Sequence, residues 1–224
     1  MKLDALYVAR FPATNREAKD AIWQVLCRHF FQRYISANDV VLDLGPGFGE
    51  FLRHIQCGRR IAVDIEKLSG RGFPEGTEEV LVPSDQLSSR VTLDSVDVVF
   101  CSNFFEHLPD KRTFLATLAE IRRVLRPGGR LLVLQPNIRF VGAAYWDFVD
   151  HHLPLTDRTL VEACESLNFE VVEVIPRFLP YTTRSALPQS PWLVRLYLAI
   201  RPAWLILGRQ TWAVLRKPSL PGRQ

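Results

Sequence analysis

Residues 40–51 read VVLDLGPGFGEF, an apolar run carrying Asp43 and then Gly45, Gly47 and Gly49 within five positions. A run of that kind predicts a buried strand, and glycines directly after it let the backbone come close to a ligand. The free N–H groups of a helix opening at Glu50 would face that ligand. A single glycine is explained by a tight turn alone. Three in this spacing call for something bound.

The flanking sequence sets the frame. Residues 15–34 put Ile22, Val25, Leu26 and Phe30 on one side of a helix. RIAVDI (60–65) reads as a second strand, EEVLVPSD (78–85) as a third, SVDVVFCS (95–102) as a fourth and RLLVLQPN (130–137) as a fifth. A helix is expected over 110–125, stopped by RPGG at 126–129. TDRTLVEACESLNF (156–169) begins with a Thr able to cap a helix, and FEVVEVIPRF (169–178) alternates as a sixth strand. Apolar strands alternating with helices predict an α/β fold, Rossmann-like, with a mostly parallel sheet covered on both faces. The 224 residues suit one domain, 1–224.

The glycine spacing narrows the ligand. A dinucleotide loop reads G-x-G-x-x-G, and here Glu50 stands where its third glycine belongs. A carboxylate is poor company for a pyrophosphate at a helix start. Asp64, fifteen residues past Gly49 at the end of the second strand, can take both hydroxyls of a ribose. The pattern therefore points to an adenosine-type molecule without a diphosphate.

These residues resemble the class I methyltransferases that use S-adenosylmethionine, in particular the small methyltransferase domains grouped with ubiquinone and menaquinone methyltransferases. VLDLGPGFG is similar to the family's first motif, AVDIEK to its second-strand motif, and SDQL (84–87) to the place of its adenine contacts. SVDVVFCSNFFEHLPD and LRPGGRLLVLQPN are similar to its fourth and fifth strands. The resemblance is close over about residues 38–137 and weaker to about 178. It implies a cofactor site of Asp43, Gly45, Gly47, Gly49, Asp64, Ile65, Asp85, Gln86, Asn103 and Phe104. It also implies a seven-stranded sheet, with a last strand near 210–217 lying antiparallel between the fifth and the sixth. Residues 179–209 would then be an insertion or interfacial segment. The implied activity is methyl transfer, to oxygen of a small or lipid-linked acceptor such as a saccharide, polyketide or quinone-like compound. Transfer to nitrogen or carbon, or a binding protein that keeps the fold without turnover, are the alternatives.

Transfer from a sulfonium is a displacement in line with the acceptor atom, and a base is needed only where that acceptor is a hydroxyl. His107, just past the fourth strand, and His151 and His152, in FVDHHLPLTD, are the candidate bases, with Asp150 able to orient a ring. His107 could instead serve as a packing or capping residue. Asp147, Asp150, His151 and His152 cluster in sequence, but Pro154 breaks the helix they would need to ligate together, so no metal is expected. SNFF after the fourth strand lacks the proline-bearing polar motif of relatives that methylate nucleic-acid bases or glutamine.

Charge is unevenly distributed. The chain has 28 basic and 24 acidic residues, yet the last 48 positions, from Arg177, hold eight basic residues and no acid. That leaves a net of −4 before them, which argues against nucleic acid as partner. PWLVRLYLAIRPAWLILGRQTWAVLRKP (191–218) carries three of the five tryptophans and predicts a basic, apolar helical insertion. Through residues 179–218 it could meet an anionic membrane surface, or it could pack on the domain or on a second subunit as a homodimer. Four dispersed cysteines, Cys27, Cys57, Cys101 and Cys164, and an N-terminus without signal-peptide features suit a reducing cytoplasmic setting, peripheral to the inner membrane face if the tail binds lipid.

Overall fold

The computed structural model describes residues 13–67, 70–181 and 190–219. Residues 182–189, within the segment 179–209, lie outside the described residues. The elements are α1 (Ala13–His29), β1 (Val40–Leu44), α2 (Glu50–His54), β2 (Arg59–Asp64), β3 (Glu78–Leu81) and β4 (Val96–Ser102). There follow α3 (Lys111–Val124), β5 (Leu125–Pro136), α4 (Ile138–Val141), α5 (Asp157–Ser166), β6 (Glu170–Ile175), α6 (Pro191–Ala199), α7 (Arg201–Leu207) and β7 (Gln210–Arg216).

All seven strands form one sheet in the order β3-β2-β1-β4-β5-β7-β6. The first five pair in parallel, while β7 pairs antiparallel with both β5 and β6. The sheet is therefore mixed, and β7 takes the place that the resemblance implied. Two apolar layers cover it. Leu118, Ile121 and Leu160 of α3 and α5 join Leu42, Val99 and Val133 on one side. Leu26 and Phe30, with Phe51 and Trp204, join Val41, Phe100 and Trp212 on the other. Strand order reverses between β1 and β4, and at such a switch point the C-terminal strand ends leave a crevice for ligands.

Local sequence accounts for the boundaries. Asp110 caps α3, its carboxylate accepting from the Thr113 N–H at 2.7 Å, and the Thr156 hydroxyl caps α5 from the Thr159 N–H at 3.0 Å. The first helix ends at His29 rather than running to 34, because Phe30 leaves helical geometry (φ −133°, ψ −60°) and a short 3-10 turn follows. RPGG does not separate helix from strand. It lies within β5 as an irregularity, the register to β4 shifting between Val96 and Val98.

The expected basic apolar helical insertion needs correction. Among its described residues, segment 179–209 holds two short helices kinked at Ile200 (φ −104°, ψ 79°), with Pro202 opening the second. No helix among the described residues is long and apolar enough to cross a membrane. The pair is anchored to the domain. Trp204 is 5% exposed, its indole N–H donating to the Tyr197 carbonyl at 2.9 Å, and its ring meets Phe30 and Phe178 edge-on. Arg177, just ahead of the segment, donates to the carbonyls of Ile206 and Gly208 at 2.8 and 2.9 Å and so closes the end of α7.

Candidate functional site

The C-terminal ends of β1, β2 and β4 bring together most of the residues expected at the cofactor. Gly45, Gly47 and Gly49 all have positive φ. Two of them are irreplaceable on steric grounds as well. A Cβ on Gly45 would stand 2.5 Å from the Phe104 ring, and one on Gly49 2.5 Å from the Phe73 ring. The loop is thus a cradle with aromatic walls, and Gly49 leads directly into α2. Asn103, with φ 48°, turns the chain at the end of β4 so that Phe104 lies over Gly45.

Two acids stand at the ends of these strands. Asp43 is buried in β1, and burial, reinforced by the carboxylates of Glu50 and Asp64, holds its carboxyl well above the ordinary range. Asp64 ends β2, its Oδ1 accepting from the Ile65 N–H at 2.8 Å and its Oδ2 held by Arg71. Burial raises the Asp64 carboxyl too, against the pull of Arg71 and the backbone N–H groups. Ile65 is exposed at this edge. Asp85 and Gln86 are exposed in the 3-10 turn after β3, which the Val82 N–H ties to the Asp64 carbonyl at 2.9 Å.

This donor set fits S-adenosylmethionine and not a pyrophosphate. Three neighbouring carboxylates, two of them raised by burial, favour a ligand with positive charge. The cofactor's sulfonium and ammonium provide it, while its ribose suits Asp64. Loaded there, it would supply an activated methyl group.

Beside this cleft the structure assembles a second group. Glu106, His107 and His151 bring ligand-capable atoms within 4.8 Å of one another. Glu106 and His151 are buried, and the His107 and His151 rings meet edge-on at 5.1 Å between centroids. The Asp150 carbonyl stands 3.0 Å from His107 Nδ1 and its carboxylate 3.3 Å, which favours a proton on Nδ1 and leaves Nε2 as the acceptor. His151 stacks on Phe148, and Phe148 meets Tyr181 edge-on. His152 is exposed and joins this group only through its backbone N–H, which donates to the Glu106 carbonyl at 2.8 Å. Asp147 is exposed as well, so the sequence cluster of 147–152 does not form as a unit. Such a trio can hold a proton or a cation.

Sequence reasoning missed three participants. Glu106 stands in the stretch after the fourth strand, and Arg71 and Phe73 in the Gly and Pro rich stretch GRGFPEG after the second, where no spacing marks them. An arginine and a phenylalanine alternating with glycines in the loop after a ribose-binding acid was the available signal.

The methyltransferase domain family matches residues 13–174. The chain belongs to that family. A probable methyltransferase, ltbC, of Aspergillus luteorubrus is 30% identical over 119 residues, 46% of this chain and 41% of the relative. The demethylmenaquinone methyltransferase of Symbiobacterium thermophilum is 28% identical over 169 residues, 68% of this chain and 66% of the relative. The matched stretches thus span under two thirds of either relative's length. A methyltransferase from Archaeoglobus fulgidus described as SAM-dependent has the same fold, with TM-score 0.66 and 22% identity over 96% of this chain and all of its own. Family and fold agree with the chemistry of the donor set, and the cleft is an S-adenosylmethionine site.

Proposed function

We propose that this chain transfers the methyl group of S-adenosylmethionine to a hydroxyl oxygen of a small acceptor with a flat apolar body, of the quinol or phenolic polyketide kind. The observation that carries this reading is the Glu106–His107–His151 trio next to the cofactor cleft. A hydroxyl must lose its proton at or before transfer, and a histidine with one nitrogen committed to Asp150 presents the other as acceptor. Glu106, buried beside the rings, stabilises the imidazolium that forms. Phe148 and Tyr181 give the acceptor side an aromatic lining. The cradle fixes the methyl carbon and the lining fixes the oxygen, so that the two lie on one axis.

The test is release of S-adenosylhomocysteine from a panel of phenols and quinols, with wild type and His107→Ala compared. The variant should lose roughly 10²–10⁴-fold in turnover with its affinity for S-adenosylhomocysteine intact. Equal turnover in the two proteins would overturn the base assignment. Methyl found on nitrogen or carbon of the product would overturn the oxygen assignment. No turnover with any acceptor, alongside intact cofactor binding, would favour a binding protein. A loss of turnover in EDTA that added divalent ions restore would reassign the trio from proton to cation.

A further inference from the structure

Residues 70–77, ahead of β3, reach the glycine loop, and one of them holds the acid that a ribose needs. Arg71 has a side chain only 6% exposed. Its Nη2 holds the Asp64 carboxylate, and its Nε donates to the Gly47 carbonyl at 3.2 Å. The guanidinium therefore bridges the two motifs that the nucleoside must touch. The neighbouring residues hold it there. Phe73 lies against Gly49, and the Gly72 N–H donates to the Phe48 carbonyl at 3.3 Å. Arg53 donates to the carbonyls of Phe48 and Gly72, each at 2.7 Å, tying this stretch to the glycine loop.

A ribose that takes both Asp64 oxygens displaces Arg71 from Oδ2. Binding must break that ion pair, and a buried guanidinium deprived of its carboxylate needs another anion. Two other cations beside the loop have acids of their own. Arg53 is paired with Asp20 at 2.7 Å, and Lys19 with Glu50 at 3.0 Å. Arg71 is the cation that the binding event itself releases. The cofactor carries one anionic group, the α-carboxylate of its amino-acid half, which the acids Asp43, Glu50 and Asp64 would repel.

We propose that Arg71 exchanges partners on binding: it leaves Asp64 to the ribose and takes the α-carboxylate of the incoming cofactor. Residues 70–77 thus act as a latch that recognises the amino-acid end of the ligand. The inference rests on the S-adenosylmethionine assignment of the cleft.

The experiment is calorimetric titration of wild type and Arg71→Ala with two nucleosides. S-adenosylhomocysteine has both ribose and carboxylate, whereas 5′-methylthioadenosine has the ribose alone. Arg71→Ala should weaken S-adenosylhomocysteine by about tenfold and should bind methylthioadenosine as well as wild type or better. Arg71→Lys, which keeps the charge without the fork, should fall between the two. A shift of both ligands by the same factor in the same direction overturns the proposal, because a simple plug treats the two nucleosides alike. Unchanged affinity for both overturns it too. Wild type that binds neither nucleoside overturns the cofactor assignment itself, and the exchange with it. Thermal melts of the free variants establish that each is folded.

Discussion

At the scale of single residues, the site is organised by the cost of burying negative charge. Asp43 is enclosed in β1 with Glu50 and Asp64 nearby, so its carboxyl is raised well above its unfolded value. A raised carboxyl binds its proton more tightly in the folded chain than in the unfolded one. Its contribution to stability is therefore fully present below the unfolded pKa and is lost as pH rises toward the folded pKa. Asn cannot ionise, so Asp43→Asn removes that loss. Without ligand, the variant should melt several degrees above wild type at pH 8, and the two should converge near pH 4. A cationic cofactor favours the ionised acid, so the same substitution should weaken S-adenosylmethionine binding, and wild type should release protons on binding. Parallel melting curves across that pH range would refute the account. Asp43, Asp64 and the glycines were legible in the sequence because their roles depend on a local turn. Arg71 and Glu106 were not. Arg71 meets Gly47 across 24 positions, and His107 beside Glu106 meets Asp150 across 43, distances that no spacing rule spans.

Among the elements, β1, β2 and β4 were readable because each is a short, bounded apolar run with a buried middle. The helices near the C-terminus were harder, because Trp, Leu and Ile fill both sides of 191–207 and periodicity cannot say which side faces inward. The structure divides them. Trp204 is 5% exposed, whereas Trp192 is 66% exposed and Ile206 74%. Trp204→Ala should therefore cost about 3–5 kcal/mol in urea unfolding, as expected when a packed aromatic is removed from a core. Trp192→Ala should change stability by no more than about 0.5 kcal/mol. Equal effects would mean that the pair is not anchored through Trp204.

For the whole molecule, the family match and the folding unit do not coincide. The match ends at residue 174, yet β7 begins at Gln210 and lies between β5 and β6. Periodicity alone offered 210–217 as one more apolar run. Its place inside the sheet came from the resemblance and from the pairing, Leu132 with Val214 on one side and Val174 with Ala213 on the other. Without β7, β6 has no partner strand, and β5 keeps only β4. Trp212, fully buried against Phe31 and Tyr34, would be lost from the second apolar layer. Phe178 and Leu179 would go with it, since the Phe178 N–H donates to the Gln210 carbonyl at 2.7 Å, while the N–H groups of Arg209 and Gln210 donate to the Leu179 carbonyl at 2.8 and 2.9 Å. A chain ending at residue 176 should therefore lack a cooperative thermal transition and bind no S-adenosylhomocysteine, although it retains the glycine loop, Asp64 and the histidine trio. Near-UV circular dichroism and calorimetry of that fragment decide the point. A sharp melt with ligand binding intact would show that the first five strands fold alone and that the C-terminal hairpin is an accessory to the site.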